Sequence, residues 1–202
     1  MEVACLDLEG VLVPEVWIGV AEHTGIEALR ATTRDIPDYC QLMTQRLAIL
    51  DEHGIGLADI QAVIAEMGPL DGAEAFLDWL REHFQVIILS DTFYEFATPL
   101  MRQLGWPVLL CHRLATDGNG RITGYDLCLP NHKRESVRAF RELNFTVYAL
   151  GDSFNDTAML GEADRGIFFR VPEAIAREFP DFPVTRDYAE LRAELERASP
   201  RF

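Results

Sequence analysis

No stretch of apolar residues approaches the ~20 that a membrane-spanning helix needs; the longest runs, such as Val86-Ile87-Ile88-Leu89, are strand-sized. The opening Met1-Glu2-Val3-Ala4-Cys5-Leu6-Asp7 has neither the basic start nor the apolar stretch of a secretory signal. Basic residues are scarce, 18 Lys and Arg against 33 Asp and Glu, for a formal net charge of −15. A surface that acidic repels phosphate backbones and anionic lipid, which argues against nucleic acid and membranes as partners. The four cysteines, Cys5, Cys40, Cys111 and Cys128, form no C-x-x-C pair or other zinc spacing, and read as reduced core thiols. Internal repeats and low-complexity tracts are missing as well. These absences leave a soluble globular domain, expected in the cytoplasm, long enough to bury a core without disulfides or structural metal.

What is there is an alternation. Three apolar, strand-like runs end in acidic or hydroxyl residues: Val3 to Asp7, Phe84 to Asp91 and Phe145 to Asp152. Helical spacing appears between them, at Ala73, Phe76, Leu77 and Leu80 and again at Phe93, Phe96, Leu100 and Leu104. The pattern predicts an α/β fold, a Rossmann-like parallel sheet whose acidic strand ends converge at one edge. Residues 15–70 break the rhythm with helical candidates at 15–23, 38–53 and 57–67 and no intervening strand. They are expected to form a small helical cap inserted after the first strand, with 1–14 and 71–202 as the core. Gly68-Pro69-Leu70-Asp71-Gly72 supplies the returning turn. Thr116 to Arg121 reads as a hairpin turn between Val108–Leu114 and Ile122–Leu129. Tyr188, Leu191 and Leu195 predict a closing helix within 187–198.

The chemistry begins at Asp7-Leu8-Glu9-Gly10-Val11, where i and i+2 spacing sends two carboxylates from one face of a strand. Gly151-Asp152-Ser153-Phe154-Asn155-Asp156 adds two more. Two such charges ~4 Å apart repel by about 4 kcal/mol at an effective dielectric near 20, so the group calls for a cation. All-oxygen ligands favour Mg²⁺. Ser90-Asp91-Thr92 is expected to end the second strand and open a helix near Phe93, an anion site suited to phosphate. Lys133, within Asn131-His132-Lys133-Arg134, could neutralise phosphate and nucleophile; His132 beside it reads as a surface residue.

In that order the four segments resemble the motifs of the haloacid dehalogenase-like phosphohydrolase superfamily: D-x-[DE]-G-[VT], a strand-end Ser or Thr, a Lys, and G-D-x-x-N-D. The helical insertion resembles the cap of its phosphoserine phosphatase branch. The resemblance implies that Asp7 attacks phosphorus to form an aspartyl-phosphate, and that Glu9 protonates the leaving alkoxide and later activates the acceptor. It implies Mg²⁺ on Asp7, Asp152 and the Leu8 or Glu9 backbone carbonyl, with Asp156 orienting its waters. Glu9 where most relatives have Asp, and Ser-Asp-Thr where phosphoserine phosphatases read Ser-Gly-Gly, are similar to one smaller group. That group, bifunctional phosphoserine phosphatases and homoserine phosphotransferases, implies transfer of phosphate to water or to homoserine.

Arg46 lies among Leu42, Met43, Leu47 and Leu50 at helical spacing, which places a guanidinium on an apolar stripe. Either it snorkels or it awaits an anion, and the resemblance implies the substrate carboxylate. Glu15 either complements a helix dipole or, by the resemblance, binds the substrate ammonium; Asn155 is a further ligand or a helix cap. The alternatives are a phosphatase of another small phosphomonoester and a non-enzymatic phosphate sensor or binder. Receiver-type sensors carry their acidic pair after the first strand and the phosphorylated Asp after the third, an order this chain does not follow.

Overall fold

The first strand, β1 (Glu2–Leu6), is buried along its whole length. Its alternating side chains explain the apolar run: Ala4 and Leu6 enter one hydrophobic cluster, Val3 and Cys5 the other, so helices must cover both faces of the sheet. The computed structural model describes residues 1–32, 35–36 and 38–202. Thr33, Arg34 and Pro37, inside the expected insertion, lie outside the described residues.

Around β1 stand β2 (Gln85–Phe93), β3 (Val108–Thr116), β4 (Ile122–Asp126), β5 (Thr146–Gly151), β6 (Arg165–Phe169) and β7 (Val184–Thr185). They form one seven-stranded sheet in the order β4-β3-β2-β1-β5-β6-β7. All pairings are parallel except β3 with β4, which form the expected hairpin. From β1 the chain first builds outward through β2, β3 and β4, then returns to β1's other side with β5. The reversal places a crevice at the carboxyl ends of β1, β2 and β5. Leu6 pairs with both Ile88 and Leu150, so the residues following these strands meet there.

Among the described residues, three α-helices fall within the expected insertion, 15–70: α1 (Val16–Thr24), α2 (Tyr39–Glu52) and α3 (Leu57–Met67). The others are α4 (Ala73–His83), α5 (Tyr94–Gln103), α6 (His132–Glu142), α7 (Thr157–Glu162), α8 (Glu173–Glu178) and α9 (Tyr188–Ala198). The first three are tied to the sheet domain by Trp17 packing edge-on against Phe96 and by Gln61 donating to the Glu95 carbonyl at 2.7 Å. The Leu57 amide bonds the Gly120 carbonyl of the hairpin turn at 2.9 Å, and Arg121 pairs with Asp51 at 2.6 Å.

Three expectations are corrected. Ser90-Asp91-Thr92 do not open a helix: β2 stays extended through Phe93, with its pairing to β3 shifting register between Leu89 and Phe93. Phe93 is pinned in the core against Phe96, and α5 starts only at Tyr94. His132 is not on the surface but 2% exposed, because it turns inward at the start of α6 toward Asp91. Of the cysteines only Cys5 and Cys111 are core thiols; Cys40 and Cys128 are exposed, on the edge elements α2 and the segment after β4.

Candidate active site

Beyond β1 the chain makes a tight loop in which Gly10 takes φ 76° and the Leu8 carbonyl accepts from the Leu12 and Val13 amides. A Cβ on Gly10 would lie 2.2 Å from Asp152 Oδ2, so only glycine lets this loop close on the β5 end. The same holds beside it: a Cβ on Gly151 would meet Asp156 Cβ at 2.4 Å. Two glycines thus let the acidic segments approach each other.

The result is a cavity of about 250 Å³. Asp7, Glu9, Glu15, Arg46, Ser90, Asp91, Lys133, Asp152 and Asn155 all line it. Asp156 does not; it is fully buried and accepts from the Asp152 and Ser153 amides at 3.0 and 3.2 Å. Lys133 Nζ lies 2.9 Å from Asp7 Oδ2, 2.9 Å from Asp156 Oδ1 and 3.3 Å from Asp91 Oδ2. Asp7 Oδ1 accepts from the Leu8 amide at 2.7 Å, so both of its oxygens are held.

One ammonium does not balance this charge. Burial, and next the nearby Asp156, push Asp7 well above the usual carboxylate range despite Lys133. Burial and Asp156 likewise push Asp152 up to about 7. Asp7, Asp152 and Asp156 each bring an oxygen within 4.8 Å of the others. That deficit and the hard oxygen donors fit a divalent cation. Glu9 is not in this trio; its Oε2 accepts from the Val16 amide at 2.9 Å, at the start of α1. Burial and then the Glu15 charge push Glu9 up to about 7, against the Val16 and Thr92 hydrogen bonds and Arg46, the range of a carboxyl that trades protons near neutrality.

Across the cavity Arg46 is 6% exposed. Its guanidinium stacks 4.4 Å from the Trp17 ring centre, and Nη2 donates to the Ala31 carbonyl at 2.8 Å. Its Nε has no partner among the described residues. Burial lowers Arg46 to about 10 against the pull of Glu9, the mark of a buried cation short of an anion. Glu15 sits exposed at the head of α1 without capping it. Ser90 is buried and its Oγ accepts from the Thr92 amide at 3.2 Å.

Asp91 is occupied by protein donors. Burial alone would raise it, but the Lys133 charge, hydrogen bonds from His132 and Asn155, and the His112 ring 3.6 Å away hold it well below the usual carboxylate range. Burial opposes Lys133's charge, yet Asp156, Asp7 and Asp91 raise it well above an ordinary lysine. Asn155 Nδ2 donates to Asp91 at 2.8 Å, and its Oδ1 accepts from Ser153 Oγ. Sequence reasoning missed Tyr39, whose hydroxyl donates to the Asp91 carbonyl at 3.2 Å, as well as His112 and Trp17. None of these three lies in a spaced motif, so no sequence signal marked them; Lys133, already singled out, is the sole lysine.

A buried carboxylate at the end of the central strand, a lysine shared among three carboxylates and a metal-fitting acidic trio meet at the carboxyl edge of an α/β sheet. Residues 20–161 match the family of haloacid dehalogenase-like hydrolases, and the chain belongs to that family. It is 64% identical over 201 residues to a phosphoserine phosphatase of Pseudomonas syringae pv. tomato, covering 100% of this chain and 85% of that protein. To phosphoserine phosphatase ThrH of Pseudomonas aeruginosa it is 63% identical over 201 residues, covering 100% and 98%. A solved phospho-aspartyl intermediate analogue of phosphoserine phosphatase shares the fold, with a TM-score of 0.77 at 20% identity over 96% of this chain and 97% of that one.

Proposed function

We propose that this chain hydrolyses phosphoserine through an aspartyl-phosphate on Asp7 and also passes the phosphoryl group to homoserine. In the first step an Asp7 oxygen bonds to phosphorus as the bond from phosphorus to the serine oxygen breaks, and Glu9 gives its proton to that oxygen. In the second, Glu9 takes a proton from water or from the homoserine hydroxyl, whose oxygen displaces Asp7 from phosphorus. Lys133 offsets the charge on Asp7 and the phosphoryl oxygens, and Ser90 donates to them. Asp7 and Asp152 would hold Mg²⁺ together with the Glu9 backbone carbonyl, since the Leu8 carbonyl already accepts two amides, and Asp156 would orient its shell. When bound, the ion would supply positive charge that offsets the phosphoryl oxygens.

Residues 15–70 act as a cap that reads the amino acid: Arg46 pairs with the carboxylate, Glu15 with the ammonium, and Asn155 flanks the phosphate. The observation that carries the reading is Arg46, a buried guanidinium whose Nε has no partner among the described residues, in the same cavity as Asp7. Two relatives above 60% identity that bear the phosphoserine phosphatase name support it. The test is incubation with Mg²⁺ and phosphoserine, with and without homoserine, following inorganic phosphate and phosphohomoserine. Both products are expected, and Asp7→Asn should form neither. Turnover by that variant would end the covalent route, and phosphate without phosphohomoserine would remove the transfer.

A further inference from the structure

We propose that His112 and His132 are positioning residues that clamp the Asp91 carboxylate, and that Asp91 so held fixes Lys133 and Asn155 over the reaction centre. The proposal deepens the phosphatase reading of the site and rests on it. His132 Nε2 lies 3.1 Å from Asp91 Oδ1 and His112 Nε2 lies 3.6 Å from the same oxygen. The other oxygen, Oδ2, receives Asn155 at 2.8 Å and Lys133 at 3.3 Å. The two rings sit 4.6 Å apart, centre to centre, at 61°, and both are buried. One carboxylate therefore connects β2, β3, the start of α6 and the segment after β5.

Backbone geometry fixes the proton on His112. The Cys128 amide donates to His112 Nδ1 at 3.1 Å, so Nδ1 is the bare nitrogen and Nε2 carries the hydrogen that faces Asp91. This also decides between a clamp and a metal site, since Asp91, His112 and His132 would otherwise have ligand atoms close enough to share an ion. Metal on His112 Nε2 would move the proton to Nδ1, where it would face the Cys128 N–H donor to donor. The Lys133 ammonium, 3.3 Å from Asp91, further opposes a second cation there. Tyr39 closes the assembly from α2, donating to the Asp91 carbonyl and setting its ring edge-on to His112.

The consequence concerns Lys133. Three carboxylates hold its Nζ, and with Asp91 loosened the ammonium is free to settle between Asp7 and Asp156, away from the incoming phosphate. A displacement of about 1 Å at such a group can cost on the order of 10²-fold in rate. His112→Phe and His132→Phe are therefore expected to lower kcat roughly 10- to 100-fold on phosphoserine and on a small aryl phosphate alike. KM for phosphoserine should change far less, because Arg46 is untouched. Glutamine at either position keeps a donor near the Nε2 position and should restore most of kcat, and thermal melts of all four variants separate unfolding from misplacement.

A second readout is independent of activity. As the only lysine, Lys133 gives a single side-chain NMR signal in protein labelled with ¹⁵Nζ-lysine, and that signal should move in the phenylalanine variants and return in the glutamine ones. An unmoved signal, an unchanged kcat, or a fall in KM selectivity equal to that in kcat would overturn the clamp. So would stoichiometric Zn²⁺ binding abolished by His112→Gln, which would make the cluster a metal site. If the unmodified protein failed to turn over phosphoserine, the substrate reading would fall while the Lys133 signal still decided the clamp.

Discussion

At the scale of single residues, the cavity sorts its charges by what they already touch. Asp91 is ringed by four protein donors and Asp156 by Lys133 and two amides, whereas Arg46 keeps a buried Nε without a partner among the described residues. Unfilled hydrogen-bonding capacity in a buried cation is costly unless a ligand completes it. Arg46→Ala should then raise KM for phosphoserine by roughly 10- to 100-fold, the worth of a charge-assisted bidentate pair, with hydrolysis of a small aryl phosphate nearly intact. Steady-state kinetics on both substrates checks this; equal losses would detach Arg46 from recognition. Two tyrosines give a pH prediction. Burial, with Glu2 beside it, pushes the Tyr148 phenol up to about 12, and burial does the same to Tyr188. The folded values exceed the ~10 of an unfolded chain, so this stability is fully present below pH ~10 and is lost as pH rises toward 12. Urea midpoints at pH 8 and 11 should show the fall, and Tyr148→Phe should lessen it.

At the scale of elements, the two glycines at the strand ends do the joining. Gly10 is held in a left-handed turn against Asp152, and Gly151 leaves room for Asp156. A methyl group at Gly151 would push Asp156, and with it Lys133. Gly151→Ala should cost about 1–3 kcal/mol as an overpacking change, roughly 3–10 °C in Tm for a domain of this size, and lower kcat in the same protein. A melt unchanged from the parent would mean that the segment after β5 yields without strain. The β3–β4 hairpin has a comparable joining role: its turn bonds the start of α3 and α2, while Cys128 just beyond it orients His112.

At the scale of the whole molecule, strand order concentrates negative charge where the chain reverses direction across the sheet. Burial first, and the neighbouring carboxylates next, push Asp7 and Asp152 up, and a divalent ion would relieve that. Mg²⁺ at about 100 times its Kd should stabilise the fold by about 2.7 kcal/mol, or roughly 5–10 °C. EDTA should reverse the gain in a thermal melt, and Asp152→Asn should abolish it. A melt indifferent to Mg²⁺ would take the ion out of this site. No helix among the described residues is long and apolar enough to cross a membrane.

Periodicity alone determined the alternation of strands and helices. The helical stretches expected at 15–23, 38–53 and 57–67 stand at Val16–Thr24, Tyr39–Glu52 and Leu57–Met67, because apolar spacing is a local property of the chain. The order of acidic strand ends was legible for the same reason, and it groups the carboxylates from the sequence alone. Tertiary structure decided the rest. That β2 runs on through Phe93 depends on β3 and the Phe96 contact, and the burial of His132 depends on Asp91, 41 residues away. Which charges are satisfied and which remain open follows from distances between segments far apart in the chain. Hydrogen bonds and Coulomb forces act through space, and neither residue type nor spacing records who the neighbour is.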